Sequence, residues 1–180
     1  MKRANQALGT IKSTFTYLEK DIFLPLYKAY IRPQLEYASV IWAPKNMKDI
    51  LAIEQVQRRA TRLIPGMKEV PYEERLKALG LPTLMYRRER ADIIQVYKIL
   101  NRFEEVNFSS AGSLKVINIT HTRGHQFKLE KASTRTPYGQ HRFKNRVVNP
   151  WNNLSEQTVC ANSVNSFKSH LNSNWKLKLK

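Results

Sequence analysis

Between residues 48 and 64 the chain sorts its side chains by a helical period. Ile50, Ile53, Val56, Ala60, Leu63 and Ile64 recur at helical spacing, and at 100° per residue they share one side of an α-helix. With Ile53 set at zero, Lys48, Arg58, Arg59 and Arg62 project between roughly 140° and 240°, opposite that stripe. Such a segment seats its apolar side on a core and leaves the cationic side to water or to a polyanion. Pro65-Gly66 ends it.

The same period governs most of the first hundred residues. Ala4, Ala7, Leu8, Ile11, Phe15 and Leu18 mark one face of a helix over 2–20. From Leu24 to Trp42 the run is rich in Leu, Tyr, Ile and Ala and nearly free of charge. This predicts a buried helix, bent near Pro33 because proline has no backbone N–H to donate, and closed by Pro44. A short helix follows Pro71, with Glu73 and Glu74 in the first turn, where the helix dipole favours anions, and Gly80 past its end. Residues 84–101 read as a further long helix, with Tyr86, Ile93, Val96, Tyr97 and Leu100 on one face and Arg87 to Arg90 spread around it. Arg88, four residues before Asp92, is that acid's expected partner.

Past Asn101 the pattern changes. Residues 104–113 read as a polar connector, Leu114 to Thr120 alternates as a strand does, and Phe127 to Leu129 suits a second strand. Phe143, Val147, Trp151 and Leu154 return to helical spacing, and Ser163 is the expected cap of a last helix carrying Val164, Phe167 and Leu171. The expected fold class is mainly α: a helical bundle over 1–103, a smaller and looser basic α+β region over 114–175, and a frayed tail over 176–180.

Charge narrows the partner. Lys and Arg number 31 against 14 acids, a net charge of +17, and such an excess calls for a polyanion, with nucleic acid first. Residues 115–146 hold Lys115, Arg123, Lys128, Lys131, Arg135, Arg142, Lys144 and Arg146 against Glu130, with Phe127, Tyr138 and Phe143 interleaved. Cations that track phosphates beside aromatic rings suit RNA or single strands. Tyr138 is the better candidate for stacking on a base, whereas Phe143 and Trp151 sit at core spacing.

Catalytic chemistry finds little to work with. Two-metal phosphoryl transfer needs several carboxylates gathered around two cations about 3.5–4 Å apart. The only aspartates are Asp21, Asp49 and Asp92, far apart on predicted helices among basic residues. His121, His125, His141 and Cys160 have donor types that bind zinc, but no Cys-x-x-Cys fixes half of a site and Gly124 argues against a helix bearing the histidines. His125 is expected instead to order its turn through a backbone hydrogen bond. A lone cysteine excludes an internal disulfide, and no glycine-rich phosphate loop is present. No secretory signal and no apolar run near the ~18 residues of a membrane span is visible. The expectation is a non-secreted nuclear or cytoplasmic protein of ribonucleoprotein particles, needing neither metal nor cofactor.

Several blocks occur in a familiar order: YKAYIRPQLEYASVIWAP at 27–44, IEQVQRRATRLIPG at 53–66, YEERLKALGLPTLMYRRERADIIQVYKIL at 72–100, TRGH at 122–125, RFKNRVVNPWNNL at 142–154 and VNSFKSHL at 164–171. Together they resemble the thumb and downstream region of a jockey-type non-LTR (LINE) retrotransposon reverse transcriptase. The resemblance implies a thumb that grips template–primer duplex, followed by a segment that helps to hold template RNA or target DNA. Arg58, Arg59, Arg62, Arg87 and Arg88 fall in the family's basic motifs. The family's fingers, metal-binding palm aspartates and endonuclease lie outside the matched blocks, so no polymerase activity is expected of these residues alone. Pro150 stands where the family has an aliphatic residue, and Leu154-Ser155 where it has Leu-Pro, which predicts a shortened or broken helix around Trp151. The expected nucleic-acid contacts are Lys48, Arg58, Arg59, Arg62, Arg87, Arg88, Arg123, Lys128, Tyr138, Arg142, Lys144 and Arg146. The competing expectation is a non-enzymatic remnant or protein-interaction module, in which LPLYKAYIRPQLEY packs against an absent palm.

Overall fold

The computed structural model describes residues 1–106, 114–117 and 124–175. The described chain is mainly helical and divides into two units, 1–39 with 44–88, and 40–43 with 89 onward. The division falls between Arg88 and Glu89, ahead of the polar connector expected at 104–113, of which 107–113 lie outside the described residues.

In unit 1 the helices are α1 (Lys2–Thr14), α2 (Lys20–Leu26), α3 (Arg32–Glu36), α4 (Met47–Thr61), α5 (Tyr72–Leu79) and the first turn of α6 (Leu84–Leu100). Their apolar stripes meet in one core that includes Ala4, Ile11, Phe23, Ile31, Ile53, Val56, Ala60, Leu76 and Leu84. Between α2 and α3 runs a π-helical turn, Tyr27–Ile31, in which the Arg32 N–H reaches back to the Tyr27 carbonyl. Pro33 follows at once, and the wider turn accommodates a residue that cannot donate to the preceding turn. The helix expected to run on to Trp42 stops at Glu36; Ala38 takes a φ of 51°, and Tyr37, Ile41 and Trp42 are exposed rather than buried.

α5 closes as the sequence suggests. Gly80 is left-handed at φ 62°, its N–H bonds to the Lys77 carbonyl at 3.2 Å, and the Leu81 N–H bonds to the Leu76 carbonyl at 3.0 Å. Leu76 and Leu81 are both buried, which completes a Schellman ending.

Unit 2 contains the rest of α6 with α7 (Pro137–Gln140), α8 (Phe143–Arg146), α9 (Val148–Asn152), α10 (Glu156–Val159) and α11 (Val164–Trp175). The helix around Trp151 is short. Pro150 sits in its first turn, where a missing N–H removes no intrahelical bond. Tyr97 stacks on Phe167 with centroids 4.2 Å apart, and Trp151 lies 6.2 Å from the same ring. The Ser166 N–H bonds to the Ser163 hydroxyl at 3.1 Å, capping α11.

The two strands expected at 114–120 and 127–129 reduce, among the described residues, to one antiparallel bridge between Val116 and Leu129. Residues 118–120 lie outside the described part, as does the tail at 176–180. Leu129 has a side-chain neighbour instead of a further strand. Its N–H donates to Asn152 Oδ1 at 2.8 Å, and Asn152 Nδ2 donates to its carbonyl at 2.9 Å.

Candidate nucleic-acid interface

In unit 1 the outward face of α4 carries Lys48, Leu51, Gln55, Arg59 and Arg62, all exposed, with Arg58 half-buried beside them. The sequence fixes this arrangement: Ile53, Val56 and Ala60 are drawn into the core, so residues half a turn away face water. Arg58 lays its guanidinium over the Tyr72 ring, 4.2 Å from the centroid, and Arg59 donates to Asn5 Oδ1 at 2.9 Å. Among the described residues no carboxylate forms an ion pair with Lys48, Arg58, Arg59 or Arg62. This face therefore presents uncompensated positive charge.

Arg87 and Arg88 are placed differently. The Arg87 guanidinium grips Glu36 through Nε and Nη2, a pairing that raises its pKa, and Arg88 Nη2 donates to the Leu35 carbonyl at 2.7 Å. Both tie α6 to α3.

Beneath α4 lies a polar network that spacing alone did not flag. The Tyr27 hydroxyl donates to Gln57 Oε1, and the Tyr72 hydroxyl donates to the Glu54 carboxylate. Gln57 Nε2 donates to the Pro82 carbonyl at 3.0 Å, and the Leu84 N–H donates to Glu54 Oε2 at 2.9 Å. Burial pushes both tyrosine pKa values up, and Glu54 adds to the rise at Tyr72 by accepting its hydrogen bond. On the helical wheel Gln57 falls inside the apolar stripe, between Ile64 and Ile50, and Glu54 at its margin, positions that turn both toward the core. Arg75, buried between Tyr72 and Leu79 on α5, was equally marked by its spacing.

In unit 2, Arg142 and Tyr138 are exposed, and Lys128 and Lys144 are half-buried. Tyr138 is 74% exposed. The Lys128 chain crosses Gly124, whose φ of 106° strains any residue with a Cβ. Arg146 is committed inside the protein: Nε and Nη2 take both Asp92 oxygens at 2.8 and 2.9 Å, while Nη2 and Nη1 reach the carbonyls of Val40 and His141 at 2.5 and 3.1 Å. Asp92, for which helical spacing suggested Arg88, is held by Arg146 from another segment. Arg123 and His121 lie outside the described residues.

His125 is buried, and its backbone partner is the Trp151 carbonyl, 3.1 Å from Nε2. Among the described residues no group of three or more His, Cys, Asp or Glu side chains is gathered as a metal site requires. None of the described helices is long and apolar enough to cross a membrane. A scan against protein-family models, a search of curated proteins and a search of solved structures each found no match.

Proposed function

We propose that this chain is the thumb and downstream portion of a jockey-type non-LTR reverse transcriptase, and that it binds template–primer duplex or RNA without sequence preference. The observation that carries the reading is the outward face of α4, where Arg58, Arg59 and Arg62 have no carboxylate partner among the described residues while Arg87 and Arg146 do. Cations left unpaired on one face attract phosphates, and the attraction weakens with salt as counterions compete. The helical make-up of unit 1 is consistent with a thumb-like bundle, and Lys128, Tyr138, Arg142 and Lys144 form the second contact set, in a region proposed to be a basic α+β unit. Work on ribonucleoprotein particles in the nucleus or cytoplasm follows from that reading.

These residues are proposed not to polymerise on their own. Asp21 and Asp49 are exposed on separate helices, and Asp92 is held by Arg146. Fluorescence anisotropy with a labelled RNA hairpin tests binding, and a magnesium-supplemented primer-extension assay tests polymerisation. The expected results are salt-sensitive binding and no extension; salt-independent or absent binding contradicts the first, incorporated nucleotide the second.

One observation favours the second reading, a protein-interaction module. Unit 1 exposes Tyr30, Tyr37, Met47 and Leu51, with Tyr37 at 81%. Self-association without RNA affinity is its signature.

A further inference from the structure

We propose that Arg58, Arg62 and Arg75 form a fixed seat for one phosphate group, filled in the nucleic-acid complex by a backbone phosphodiester; this rests on the function proposed above and gives it a defined point of contact. Arg75 is 2% exposed, and a guanidinium keeps its proton, so a full positive charge is held inside unit 1. Buried charges are ordinarily paired. Among the described residues no carboxylate bonds Arg75, and Glu73 acts on it only through its field: Nη1 donates to the carbonyls of Met67 and Val70 at 3.3 and 3.0 Å, Nη2 contacts the Arg58 carbonyl at 3.5 Å, and Nε meets no acceptor among those residues.

Stapling the loop after α4 explains those carbonyl bonds. It does not explain why two more arginines are stationed beside the buried one. Arg58 and Arg75 approach the same Tyr72 ring, at 4.2 and 5.5 Å from its centroid. Arg62 follows Arg58 by four residues at the end of α4, which makes the two side chains neighbours. Burial pushes the Arg75 pKa down, and Arg62 and Arg58 push it the same way, while Tyr72 and Glu73 pull it back up. The fold thus holds three mutually repelling cations, and an anion at the surface between Arg58 and Arg62 converts that repulsion into attraction. Stacking holds Arg58 in place before any ligand arrives, so little freedom is lost on binding. Arg62 supplies a second, exposed fork suited to two phosphate oxygens. Arg75 acts from behind, through its charge.

The test is a titration of the full chain with inorganic phosphate, against chloride at equal ionic strength, followed by the arginine Nε–H NMR signals. The expected result is a saturable shift at Arg58 and Arg62, weakened about tenfold by Arg62→Gln, the loss of one charge-assisted contact, and unaffected by Lys77→Gln, an exposed cation on α5 outside the contact set. Shifts linear in phosphate at every arginine, or equal affinity in wild type and Arg62→Gln, overturn the seat. RNA anisotropy on the same samples separates the two claims. Phosphate binding that depends on Arg62, with no RNA binding, upholds the seat and contradicts the nucleic-acid reading; RNA binding with phosphate affinity indifferent to Arg62 overturns the seat alone.

Discussion

Replacing Arg146 with methionine is expected to destabilise unit 2 by about 3 kcal/mol, the lower end of the range for breaking a buried ion pair. The lower end applies because the side chains of Arg146 and Asp92 keep 14% and 10% of their exposure. Methionine fills much of the space but leaves the Asp92 carboxylate without its two donors and the Val40 and His141 carbonyls without theirs. Asp92→Asn is milder, about 1–2 kcal/mol, since the guanidinium keeps both carbonyls and one amide oxygen. The double variant Arg146→Met with Asp92→Leu is expected within about 1 kcal/mol of wild type, because no charge is then stranded. Urea unfolding followed by tryptophan fluorescence measures all three, with Trp151 buried in the same unit. Hydrogen exchange at 40–43 should accelerate in Arg146→Met, while RNA affinity per folded molecule stays unchanged. A loss under about 0.5 kcal/mol for Arg146→Met, the range of ordinary surface substitutions, refutes the reasoning.

Two further outcomes are expected. Gly80→Ala should destabilise unit 1 by about 1 kcal/mol, since the left-handed φ of 62° strains any residue with a Cβ; an unchanged urea midpoint contradicts the Schellman ending. Burial holds the His125 pKa below the ordinary 6.5, with Lys128 pushing the same way and the Trp151 carbonyl and Glu156 pulling upward. The unfolded chain therefore takes the proton first, so stability is complete above about pH 6.5 and declines as pH falls from there to the folded value; urea midpoints that do not fall in that window count against a buried neutral imidazole.

The helices with segregated faces were legible in the residues themselves. α4, the Gly80 ending of α5, α6 and the Ser163 cap each depend on neighbours within one or two turns, and local spacing encodes those. Beyond Glu36 the run from Leu24 to Trp42 departs from the buried helix its composition predicts, because an uncharged apolar stretch looks alike whether it is buried or left outside. Pairings across long separations were invisible for a related reason. Asp92 has a cation one turn away in Arg88, yet it takes Arg146 from 54 positions on, since only the folded chain brings a bidentate fork to its oxygens.

The candidate interface divides along the same line. Lys48, Arg58, Arg59 and Arg62 follow from the period of α4, because their exposure depends on which side of that helix is buried. Arg87 and Arg146 look identical to them in sequence, but each meets a carboxylate supplied by another segment. The expected strand at 127–129 keeps one bridge to Val116 and otherwise bonds the Asn152 side chain, a pairing that no alternation of residues encodes. The network of Tyr27, Glu54, Gln57 and Tyr72 draws polar atoms from three segments, so the place of Gln57 and Glu54 in and beside the α4 stripe was its one local trace.

The most direct measurement is the slope of log affinity against log salt for a short RNA duplex, in wild type and in the triple variant Arg58→Gln, Arg59→Gln, Arg62→Gln, with circular dichroism confirming that both are folded. If Arg58 and Arg62 share one phosphate and Arg59 meets a second, the triple variant binds more weakly and its slope is shallower by about 1.4–1.8, at roughly 0.7–0.9 per phosphate. Equal slopes and equal affinities contradict the claim that the outward face of α4 lies along nucleic acid.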